Sequence, residues 1–133
     1  MASNTIEQAV RVKLTSSTAI HDHCGDRVFF VEAERDAAMP YLTYSVVSDP
    51  HMPFALGNQN TGQPRIQVNA WGPDRYVVLE LANHVRDALR FQTSLDGMTV
   101  YWSQCTGPVV MRDPNESVYH GIVDALIQYK EST

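Results

Sequence analysis

His21-Asp22-His23-Cys24 puts four side chains able to ligate zinc into one short stretch, and a metal centre is the first chemistry such a cluster suggests. The spacing argues against it. Structural zinc draws paired ligands, about two to four residues apart, from two places in a chain, and the distant thiol, Cys105, stands alone. The stretch is therefore read as a polar loop after a first helix, and neither a metal nor another cofactor is expected. Cys24 and Cys105 could form one bridge. The N-terminus has no basic region followed by an apolar core, so no export is expected and free thiols are the default.

Nucleophilic catalysis would need Ser or Cys with His and a carboxylate converging on it. The sequence has no Gly-x-Ser-x-Gly elbow, Walker loop, Gly-x-Gly-x-x-Gly or His-Glu-x-x-His. His84 falls on the polar flank of a helix and His120 in or beside the last strand, both read as ordinary surface or edge residues. No catalytic residue is expected, and the chain is read as a non-enzyme. Trp71 and Trp102, with Tyr41, Tyr44, Tyr101 and Tyr119, lie on strand-like runs where core packing accounts for them. A base-stacking platform would want basic neighbours, and the ten Lys and Arg are scattered. Asn115-Glu116-Ser117 matches a glycosylation sequon, which without export is a chance tripeptide.

The elements that must position these residues follow from periodicity. Ile6, Ala9, Val10 and Leu14 recur along one helical face, with Asn4 or Thr5 available to cap, and the hydroxyl run Thr15-Ser16-Ser17-Thr18 ends that helix. Arg27 to Val31 and Tyr41 to Val47 are β-branched and aromatic runs of strand type, separated by a charged loop closed by Pro40. Residues 48 to 64 carry Pro50, Pro53, Gly57, Gly62 and Pro64, a density of breakers that makes a long loop. Arg65-Ile66-Gln67-Val68-Asn69-Ala70-Trp71 alternates, with Ile66, Val68 and Ala70 on one face and Arg65, Gln67 and Asn69 on the other. After Gly72-Pro73-Asp74 the period changes, and Val78, Leu81, Ala82, Val85, Ala88 and Leu89 stripe a second helix. Met98 to Cys105 is a strand, Val109 to Arg112 a short further one, and Ser117 to Lys130 fits strand better than helix. The order α-β-β-loop-β-α-β-(β)-β gives an α+β fold, a mainly antiparallel sheet packed against two amphipathic helices in one domain over 1–133.

With 133 residues, 44% hydrophobic and 19% charged, the chain can bury a core without staples. Its apolar runs are too short for a membrane-spanning helix, so no membrane association is expected. The formal net charge of −5 disfavours adhesion to nucleic-acid phosphates, and suits a conduit past which DNA slides.

Gly25-Asp26-Arg27-Val28-Phe29, then Met39-Pro40-Tyr41-Leu42-Thr43-Tyr44, then Arg65 to Trp71, then the helix with Leu81-Ala82-Asn83-His84-Val85-Arg86-Asp87-Ala88-Leu89, come in an order that resembles the tail-completion (tail-terminator) family of long-tailed bacteriophages. The resemblance spans nearly the whole chain in the expected order, and it is the four pieces in series that carry it. It implies a structural virion protein at the neck, the head-tail junction, assembled in the host bacterial cytoplasm. It would form a homo-oligomeric, hexameric ring that stops tail-tube growth, with the tail tube protein and the head connector or stopper protein as partners and DNA passing through unbound. The alternative is a head-completion or connector protein of the adjacent neck position. The family brings no catalytic residue to transfer. Met52, Phe54 and Leu56, apolar residues in the long loop, are the candidate contacts to a neighbouring subunit or the tube.

Overall fold

The computed structural model describes residues 5–33, 37–48, 61–62, 64–92, 94–96, 98–113 and 118–130. Met52, Phe54 and Leu56 lie outside the described residues.

Among the described residues three helices form where local chemistry starts and stops them. The first, α1 (Ile6–Ser16), begins where the Thr5 hydroxyl accepts from the Gln8 amide at 3.3 Å, and it buries Ile6, Ala9, Val10 and Leu14. The hydroxyl run does end it, but not in a loop. Ser17 is at once the C-cap of α1 and the N-cap of a second helix, α2 (Thr18–Cys24), where its hydroxyl accepts from the Ile20 amide. The stretch expected to be a polar loop, His21 to Cys24, is thus helical, because Ile20 and Cys24 stand one turn apart and both are buried. Gly25 ends α2 at φ 57, a conformation that costs glycine little. The long helix α3 (Arg75–Leu89) is capped by Asp74, whose carboxylate accepts from the Tyr76 amide at 2.8 Å, and it buries Val78, Leu81, Ala82, Val85 and Leu89.

The strands are β1 (Val28–Phe30), β2 (Tyr41–Ser48), β3 (Thr61–Gly62), β4 (Arg65–Gly72), β5 (Ser94–Leu95), β6 (Met98–Asp113) and β7 (Val118–Lys130). They join in the order β1-β2-β4-β7-β6-β5, with β3 also on β7. Only the β1–β2 pairing is parallel among those described. The fold is therefore α+β with a mainly antiparallel sheet, as the alternation implies, and the last segment is a strand. Residues 98 to 113, expected as two strands, are one. The register slips between Thr106 and Val109, where Pro108 has no amide to give the ladder and Gly107 takes φ 103, so pairing with β7 resumes after a bulge.

Ile66, Val68, Ala70, Val123, Ala125 and Ile127 point from the middle strands to the helices and are buried, as are Leu42 and Tyr44 beside them. The α3 helix lies closest to the sheet at two glycines. A Cβ on Gly72 or on Gly121 would come within 3.0 Å of a Val78 methyl carbon. All three helices contribute buried side chains to this one core, so the opposite face of the sheet has no described helix over it. Among the described residues no helix is long and apolar enough to cross a membrane.

Candidate functional site

The uncovered face, the one with no described helix over it, is set by parity. Because side chains alternate across a strand, every residue out of phase with the buried set lands on it, and the registers align them into rows. Tyr41, Trp71, His120 and Met111 form one row across β2, β4, β7 and β6. The next is Thr43, Asn69, Ile122 and Val109, and the third Ser45, Gln67, Asp124 and Thr106. Arg65, Leu126 and Gln104 follow.

Aromatic contacts hold the first row together. The Trp71 indole stacks on the His120 imidazole at 4.0 Å between centroids and 7° between planes, and on Tyr41 at 6.4 Å. Phe29 meets the edge of Tyr41 at 6.0 Å. The indole is also fixed at its polar end, since Trp71 Nε1 donates to Thr43 Oγ1 at 3.1 Å.

Hydrogen bonds carry on from that row in one direction. Burial lowers the His120 pKa from its ordinary 6.5, so the ring is neutral near pH 7, and as its Nε2–H tautomer it donates to Asn69 Oδ1 at 2.7 Å. Asn69 Nδ2 donates to Gln67 Oε1 at 3.5 Å, and Gln67 Nε2 to Asp124 Oδ1 at 3.4 Å. Arg65 Nη2 donates to Asp124 Oδ2 at 3.1 Å, so Asp124 is the shared acceptor at the end of the chain. The amides of Asn69 and Gln67 are both engaged in this chain, which links β4 to β7. At the β6 side the face turns apolar, where Val109 is 57% and Met111 48% exposed. A face with hydrogen-bonded polar groups and an apolar margin is what a protein partner can read.

The sequence-derived candidates are dispersed differently from their order in the chain. His21 approaches Asp26 at 4.0 Å, whereas His23 turns toward α3 and faces Glu80 and His84. Cys24 is buried and Cys105 half-buried; both are free thiols, and burial pushes each up to about 11. Tyr44 is in the core and Tyr119 packs against it, as expected for the aromatics. Tyr41 and Trp71 are not core residues; they make the aromatic row of the uncovered face, and Tyr101 is half exposed. A signal for this was present. Trp71 shares the parity of Arg65, Gln67 and Asn69, so the alternation itself assigns it to the polar side.

A family model described as Tail completion protein gp17 matches residues 8–130. The chain belongs to this family. The match runs from α1 to the end of β7, so this tail-completion domain includes both the helical layer and all the strands that form the uncovered face. Comparison with curated proteins finds no match. Among solved structures, a chain of the virion of a native gene transfer agent (GTA) particle superposes with a TM-score of 0.75, over 94% of this chain and 94% of that one. At 12% identity the likeness is one of fold.

Proposed function

We propose that this tail-completion protein is a structural part of a phage-type virion that closes the tail tube and joins it to the head connector as a homo-oligomeric ring. The observation that carries the reading is the family match over residues 8–130. The like-folded chain from a gene transfer agent virion supports it. A ring follows when copies meet through two different patches and the rotation between them closes, here as a hexamer. In this reading the uncovered sheet face, with its locked polar chain and the apolar margin at Val109 and Met111, is one of those patches. The net charge of −5 lets DNA pass the ring without phosphate binding. The protein resides at the neck and is assembled in the bacterial cytoplasm.

Particles made without the protein test this directly. Tails of abnormal length, beside filled heads that fail to join them, are the expected image. Tails of normal length beside leaking heads would assign the chain to the adjacent head-completion position instead. Met52, Phe54 and Leu56 are proposed as contacts to the tube or a neighbouring copy, and deleting residues 50 to 62, which also removes the two-residue β3, is expected to abolish tail joining while the domain still folds. Normal particle yield from that deletion removes the loop from the mechanism.

A further inference from the structure

His23, Glu80 and His84 converge where α2 meets α3. His23 occupies the last turn of α2, and Glu80 and His84 stand one turn apart on α3, where i and i+4 share a side. His23 Nε2 is 3.6 Å from Glu80 Oε1, and His84 Nε2 is 3.7 Å from the same oxygen. The two imidazoles are 5.5 Å apart at 32°, and one ligand atom from each of the three residues lies within 4.8 Å of the other two. Both nitrogen–oxygen separations exceed the roughly 2.7–3.2 Å of an N–H···O hydrogen bond. They are close to the edge, about 3.4 Å, of a tetrahedron whose corners lie about 2.0–2.1 Å from a zinc ion.

We propose that His23, Glu80 and His84 form a binding site for a single zinc ion that ties α2 to α3. Two imidazoles with one carboxylate suit a borderline divalent metal, whereas magnesium and calcium take oxygen donors. The carboxylate oxygen faces both rings at once, so a single ion can be shared by all three ligand atoms. Glu80 is 61% exposed on its side chain, so the fourth corner opens to water. As a plain ion-pair cluster the same groups would contribute little, because exposed pairs are screened. His21 is two residues from His23 on the same helix and is turned away, toward Asp26. The pairing of ligands is thus made by two helices rather than by the cluster in sequence.

The test is Zn2+ titration of the metal-free full chain against a chromophoric chelator, with thermal unfolding measured alongside. The wild type is expected to bind one ion per chain and to melt at a higher temperature with zinc than without. Glu80→Ala and His84→Gln should each weaken binding by more than about 10-fold, at least the loss that removing a mere outer partner of a metal ligand brings. His21→Gln should leave it unchanged. Glu80 is exposed and Ala is a good helix former, so Glu80→Ala keeps the fold, which the metal-free melting curve checks. Failure of the wild type to bind zinc, or equal affinity in Glu80→Ala, overturns the site.

Discussion

Gly121 is one of two glycines over which α3 packs on the sheet, and a single methyl group there measures how tight that contact is. In Gly121→Ala the new Cβ would sit 3.0 Å from Val78 Cγ1 and 3.3 Å from Ala82 Cβ. Carbon atoms settle at about 3.5–4.0 Å, so the shortfall is roughly half an ångström. Val78 is fully buried, and a β-branched residue in a helix holds essentially one rotamer, so its methyl cannot swing aside. The helix itself has to lift, and overpacking of this kind costs about 1–3 kcal/mol. Gly121 has no positive φ, so alanine gains about 0.4–1 kcal/mol by restricting the unfolded chain. The net expectation is a loss of about 1–2 kcal/mol, or a fall in Tm of roughly 3–10 °C at this chain length. Urea or thermal unfolding followed by circular dichroism reads it. The decisive comparison is a double-mutant cycle with Val78→Ala, which removes the obstructing methyls. In that background Gly121→Ala should cost nothing or stabilise, a coupling of about 1 kcal/mol or more. Effects that simply add, within about 0.3–0.5 kcal/mol, would refute the packing argument.

Three further expectations follow from the same packing and burial. Gly107→Ala should be the more damaging glycine substitution, at about 2–4 kcal/mol, because φ 103 strains any side chain and the Cβ would meet the Ile122 carbonyl oxygen at 2.7 Å; chemical denaturation of the two variants side by side ranks them. The unfolded chain takes up a proton at His120 near the ordinary 6.5 while burial makes the folded ring resist it, so this stability is complete above 6.5 and is lost as pH falls through the lowered folded value. Denaturation of wild type and His120→Gln above and below 6.5 should show that the variant lacks this part of the acid sensitivity. With both thiols moved from 9.0 to about 11, their thiolate population at neutral pH drops about 100-fold, so alkylation should be slow until denaturant is added; rapid labelling of the native protein at either cysteine would contradict the burial assigned to it.

Much of the fold was legible because the signals are local. The apolar stripe of α3 and the strict alternation of β4 needed only side-chain period to be read, and the capping residues Thr5 and Asp74 fix where helices start. The hydroxyl run at 15–18 was harder, since a residue that ends one helix can begin the next, and only the burial of Ile20 and Cys24 decides that it does. Likewise Gly107-Pro108 looks like a strand break, and becomes a bulge because β7 continues to offer partners on both sides of it.

The sequence by itself determined which residues are apolar, at what period, and in what order the segments come, and that was enough for an α+β sandwich and for its family resemblance. Which strand lies beside which was decided only in three dimensions. Hydrogen bonding between β4 and β7 brings Trp71 onto His120 and Asp124 within reach of Arg65, residues about fifty to sixty positions apart in the chain. The packing of α2 on α3 likewise separates His23 from His21 and hands it to Glu80 and His84. Both sites depend on distances between elements, and those distances follow from the filling of a shared core, a property of the whole chain that no local window contains.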